Sequence, residues 1–93
     1  MKWIRWTLWT GSDHICGQFP LKDVDREIQK FEARAALVLK ETGADHVLYA
    51  VKYYEADELD RVSFYMMPMS DEEYEEKVVK LEGVRVYALH ARR

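Results

Sequence analysis

Residues 21–42, LKDVDREIQKFEARAALVLKET, decide how the rest of this chain is arranged. Val24, Ile28, Phe31, Ala35 and Val38 recur at steps of four, three, four and three, so one face of a helix is apolar from end to end. Asp23 stands where a capping residue belongs, and Gly43 where a left-handed residue ends a helix. The opposite side carries Lys22, Arg26, Lys30 and Arg34 with Asp25, Glu27 and Glu32 beside them, a solvated face laced with ion pairs. An apolar stripe of this length has to be covered, and the flanking segments read as the strands that cover it.

Upstream, residues 1–10 alternate with a period of two. Ile4, Trp6 and Leu8 lie on one side, Trp3, Arg5, Thr7 and Trp9 on the other. Two tryptophans are unusual on a side meant for water. Gly11-Ser12-Asp13 signals a turn. Residues 14–19 then read either as a short second strand, weakened by Gly17 and ended by Pro20, or as an irregular loop.

Downstream, residues 45–54 form a strand rich in Val and Tyr, with Val47, Tyr49, Val51 and Tyr53 on one side. Residues 55–60 are an acidic connection and 61–69 the returning strand. Ser70-Asp71-Glu72-Glu73 is a capping box that opens a second helix, with Met69 and Tyr74 spaced as a hydrophobic staple. Tyr74, Val78 and Leu81 make its buried stripe and Gly83 its stop. Residues 84–91 are the last strand.

Strand, helix, strand, strand, helix, strand resembles the split β-α-β, or ferredoxin-like, arrangement. The resemblance is one of topology. It implies a single α+β domain over residues 1–93, with a four-stranded antiparallel sheet, both helices on one face, and the first and third strands central. An extra N-terminal hairpin strand at 14–19 would compete with the last strand for the same edge and change the order.

Composition narrows the function classes. A chain of 93 residues is one domain. A single cysteine excludes an internal disulfide and gives no reason to assign an oxidising compartment. No apolar run is long enough for a signal peptide or a membrane span, so the expected location is cytoplasmic, with no membrane partner. The net charge of −3 is unevenly spread: residues 55–76 hold nine acidic side chains and one basic.

Motifs for chemistry are missing. There is no phosphate loop, dinucleotide fingerprint or nucleophile elbow. One thiol without paired histidines at ligand spacing does not make a zinc site, so neither metal nor cofactor is expected. Cys16 and His14, two apart on a strand, stand roughly 6.5–7 Å from each other, too far for a nucleophile and its base. Proton transfer by His14, His46 or His90 near Asp13 or Asp45 stays open. Residues 61–67, RVSFYMM, lack the glycine of an RNA-recognition strand, and the neighbouring acids repel phosphate, so direct nucleic-acid binding is not expected.

Two surfaces remain. If the helices cover one face, the other is bare and aromatic: Trp3, Trp9, Tyr49, Tyr53, Tyr65 and Tyr87 are its candidate interaction residues. The acids Glu55, Asp57, Glu58 and Asp60 at the hairpin tip, with Glu72, Glu73 and Glu76 at the second helix start, would together face a basic partner. The expectation is a small, non-enzymatic protein-interaction module that forms a homodimer. It would act as an inhibitor or adaptor docked on a basic, nucleic-acid-handling protein, a role that small acidic proteins of phages and mobile elements, anti-CRISPR proteins among them, perform. The alternative is a small-molecule-binding α+β dimer or an enzyme, with His46 or His90 as general acid/base.

Overall fold

A computed structural model of the chain describes residues 1–92. Its elements are β1 (Trp3–Thr10), β2 (Asp13–Pro20), α1 (Val24–Thr42), β3 (His46–Glu55), β4 (Glu58–Met69), α2 (Asp71–Lys77) and β5 (Val84–His90). A single 3-10 turn, Leu21–Asp23, leads into α1.

The architecture is α+β, but the sheet is mixed and has five strands in the order β2-β1-β4-β3-β5. The expected four-stranded antiparallel sheet is corrected at its edges. β2 forms, and it pairs with β1 along its whole length. That fills the outer edge of β1, so β5 lies at the far side of the sheet against β3. β1 and β4 run parallel, with Arg5 beside Arg61 and Thr7 beside Ser63, while β3 and β4 form the expected antiparallel hairpin.

The same order moves a helix. The β2-to-β3 and β4-to-β5 connections travel the same way across the sheet, yet β2 and β4 point in opposite directions. Right-handed crossovers then place α1 and α2 on opposite faces, not together on one. The core is divided accordingly. Val24, Ile28 and Ala35 of α1 cluster with Ile4, Val47, Tyr49, Val62 and Phe64. On the other face Tyr74 and Val78 cluster with Leu48, Val51, Met69 and Val86.

β3 lies between these two clusters, and Val47 through Lys52 are all buried. Its alternation breaks at Tyr49. Leu48 pairs with Ala88 and Ala50 with Tyr87, so Tyr49 is an extra residue. This bulge puts Tyr49 and Ala50 on the α1 face together and hands Val51 and Tyr53 to the α2 face. The side expected to hold Val47, Tyr49, Val51 and Tyr53 is therefore cut in two.

Helix ends follow their local chemistry. α1 stops at Gly43, left-handed at φ 68°, whose N–H donates to the Leu39 carbonyl. Asp23 does not cap its start; its carboxylate pairs instead with Arg26 at 3.1 Å. In α2, Ser70 Oγ accepts from the Glu73 N–H at 3.2 Å and Glu73 Oε1 accepts from the Ser70 N–H at 3.3 Å, the capping box as read. The helix ends at Lys77, earlier than the stripe implied, and leaves Leu81 exposed. Among the described residues, no helix is long and apolar enough to cross a membrane.

Candidate functional site

β1 and β2 are joined by a two-residue turn, Gly11-Ser12, in which Gly11 takes φ 72°, the geometry of a type II′ hairpin. β1 is an interior strand, hydrogen-bonded on both sides, yet Ile4 alone is buried in the two strands of this hairpin. The helices lie chiefly over β3, β4 and β5. On the α1 face, Trp6, Leu8 and Phe19 meet Phe31 and Phe64 along an apolar groove of about 330 Å³. The Trp6 indole crosses Gly17 so closely that a Cβ there would stand 2.4 Å from Cζ2. On the opposite face Trp3 and Trp9 are 55% and 42% exposed. Between them lie Arg5 and Thr7, with His14, Cys16 and Gln18 alongside in β2.

The six aromatic residues expected on one bare face are thus divided. Trp3 and Trp9 stand on the thinly covered half of the α2 face. Tyr53 and Tyr65 share that face nearer the helix, their hydroxyls 3.4 Å apart, with the Arg61 guanidinium 4.1 Å over the Tyr53 ring. Burial, then the hydrogen bond with Tyr53, pushes the Tyr65 hydroxyl up to about 12. Tyr49 and Tyr87 belong to the α1 face. There they line a cleft with Asp25, Gln29, Glu32, Lys52 and Arg85. Lys52 Nζ donates to Asp25 Oδ1 at 2.6 Å. Burial works to lower the Lys52 ammonium, but its hydrogen bonds to Asp25 and Tyr87 outweigh that and hold it above its ordinary range. The signal for this pair was a lone lysine inside a Val/Tyr strand.

The acids do not form one patch. Glu55, Asp57, Glu58 and Asp60 sit at the β3–β4 tip, whereas Glu72, Glu73 and Glu76 follow the far end of β4. Twelve extended residues separate the two ends by about 40 Å. At the tip, Ala56 and Asp57 are both left-handed, φ 50° and 65°, a type I′ turn made without glycine. Trp3 borders the same cleft as Glu55, Glu58 and Asp60, with Lys2 and Arg5. Glu58 pairs with Lys2 at 3.7 Å and Asp60 with Arg61 at 3.5 Å. Glu73 is committed to the cap of α2 and lies 3.9 Å from Lys77.

The histidines separate as well. His14 lies beside Trp9, ring centres 5.1 Å apart and planes tilted by 43°. His46 and His90 meet across β3 and β5, Nδ1 to Nδ1 at 2.6 Å, and His46 Nε2 lies 2.6 Å from Asp71 Oδ1. One proton must lie between the two Nδ1 atoms. When a neutral His46 donates from Nε2 to Asp71, its Nδ1 accepts from His90. Tyr74 stacks on His46 at 4.3 Å, and Asp45 accepts from the Asp71 backbone N–H at 3.0 Å. The cleft beside this group is lined by Asp45, Met69, Ser70 and Glu73 rather than by either histidine. The arrangement ties the start of α2 to the ends of β3 and β5.

No family model matches the chain, and no curated protein or solved structure matches it either.

Proposed function

We propose that this chain is a non-catalytic protein-interaction module that docks through the open β1–β2 hairpin and the acidic β3–β4 tip beside it. One observation carries the reading: β1 is interior to the sheet, yet Trp3 and Trp9 remain exposed on it. Exposed tryptophans of this kind supply the anchors of interfaces. The tip supports the reading independently. Asp57, left-handed at φ 65°, holds its carboxylate at the exposed tip of the turn. Trp3 and the tip acids share one cleft and together suit a partner with an apolar socket and a basic rim. A nucleic-acid-handling protein offers such a rim, and blocking or recruiting it is the adaptor or inhibitor role.

The test is affinity capture from the cell that makes the protein, comparing immobilised variants. Trp3→Ala and Asp57→Lys weaken capture of the partner, by about 30-fold for the tryptophan acting as a hot spot. Glu72→Lys with Glu76→Lys, at the other end of β4, leaves capture intact. The same proteins bound by all variants would refute the docking surface.

The second reading, a small-molecule-binding protein or enzyme, draws on the Asp71–His46–His90 chain, which has the bonding to hold and pass a proton. It requires a ligand that shifts the His46 and His90 ring signals in an NMR titration.

A further inference from the structure

We propose that two copies of this chain join edge to edge through β2, antiparallel, about a two-fold axis at Cys16, making one continuous ten-stranded sheet from two five-stranded ones. The inference concerns self-association alone and stands or falls apart from the docking surface above.

The backbone register decides which groups are free. A two-residue loop makes Thr10 and Asp13 a hydrogen-bonded pair, and alternation then makes Leu8–Ile15, Trp6–Gly17 and Ile4–Phe19 hydrogen-bonded pairs. The Leu21 N–H donates to the Lys2 carbonyl at 2.9 Å, the next bond of the same series. His14, Cys16 and Gln18 therefore turn their N–H and C=O groups away from β1, along the open edge of the sheet, where the His14 N–H donates to Asp13 Oδ1 at 2.8 Å. Such an edge is a template for another strand.

Natural edges are blunted by charge, proline, bulges or short length. β2 has eight residues, no register shift against β1, one charged residue at its start, Asp13, and proline only at its end. The opposite edge strand, β5, carries Arg85 and His90.

The outward groups are their own antiparallel complement. With the axis at Cys16, His14 lies opposite Gln18 of the second copy, Cys16 opposite Cys16, and Gln18 opposite His14. Each such pair exchanges two hydrogen bonds once the His14 N–H passes from Asp13 Oδ1 to the Gln18 carbonyl of the second copy, so all the outward groups of the three residues are satisfied. No other antiparallel register uses all of them. Side chains agree. Ile15, 56% exposed, comes to lie opposite Gly17 of the second copy, where the Trp6 indole lies over the backbone in place of a side chain and presents an apolar surface. Asp13 meets Phe19, so no like charges are brought face to face. The two Cys16 Cα atoms stand about 5.5 Å apart.

The experiment is sedimentation of the full chain under reducing conditions, together with cross-linking of native protein by a short bismaleimide, which joins two nearby thiols. Cys16 is the single thiol in the chain. The expected result is the mass of two chains and a covalent dimer through Cys16. Ile15→Lys places a charge against that indole, and Gln18→Pro removes an outward N–H without touching the ladder to β1. Both variants keep the wild-type circular dichroism, sediment as monomers and cross-link at least tenfold more slowly. A wild-type chain that stays monomeric at high concentration overturns the proposal. So does a dimer that survives both substitutions, or one whose Cys16 residues do not cross-link. A foreign strand held on a monomer's β2 edge overturns it too.

Discussion

At the scale of single residues, two side chains report the packing of the sheet. Gly17 is set by Trp6: any Cβ at that position would collide with the indole. Because Trp6 is only half-buried, the ring has room to move, and Gly17→Ala is expected to lower stability by about 1–3 kcal/mol without unfolding the chain. Denaturant titration measures the loss, and Trp6 fluorescence reports the displaced ring. Tyr65 gives a pH signature. Its hydroxyl is raised from 10.0 to about 12, so the folded chain favours the neutral form. The resulting stabilisation is complete below the ordinary tyrosine range and is lost as pH climbs through the folded value. In an alkaline absorbance titration Tyr65 should ionise last of the six tyrosines, Tyr65→Phe should delete that step, and Tyr53→Phe should bring it to lower pH. Neither contact was legible in the sequence. Gly17 stood out only as a weak point in a strand, and the Tyr53–Tyr65 pairing depends on cross-strand register.

At the scale of elements, local signals were sufficient wherever the structure is local. The α1 stripe, the Gly43 stop, the Ser70 capping box and the strand alternation in β1 all appear where their residues put them. The failures came where a pattern meets its neighbours. The parity of β3 depends on a bulge at Tyr49, and no residue type marks that position. α2 stops at Lys77 because the chain turns before Leu81 finds a surface to cover. The β3–β4 turn is the element with most to gain from substitution. Ala56 and Asp57 both occupy the left-handed region, which disfavours an L-residue by roughly 1–2 kcal/mol. Asp57→Gly is expected to stabilise the domain by about 1 kcal/mol and to raise the melting temperature by about 4–8 °C. The same substitution removes an acid from the proposed docking tip and should weaken partner capture. A variant that gained no stability would show that the tip relaxes out of this turn in solution.

At the scale of the whole molecule, the sequence supplied the parts but not their order. Whether 14–19 is a strand decided everything else. Once β2 occupied the edge of β1, β5 had to pair with β3, and right-handed crossovers had to separate the helices. The outcome is a molecule of uneven thickness. Three layers meet at β3, flanked by β4 and β5 and covered by α1 and α2 residues on its two faces, whereas the β1–β2 hairpin is covered thinly on one face and barely on the other. Stability should follow thickness, because a segment with few buried apolar contacts opens without the rest. Native-state hydrogen exchange at low protein concentration measures this directly. The amides of Val47–Val51 should exchange only through global unfolding. The hairpin amides that bond β1 to β2, such as Ile15 and Gly17, should exchange through a smaller opening, and the outward amides of Cys16 and Gln18 fastest of all. Raising the concentration should slow those last two selectively if β2 pairs with a second copy. Equal protection in β1–β2 and β3 would mean that the sheet unfolds as one body, and that the exposed tryptophans belong to a hairpin as firmly held as the core.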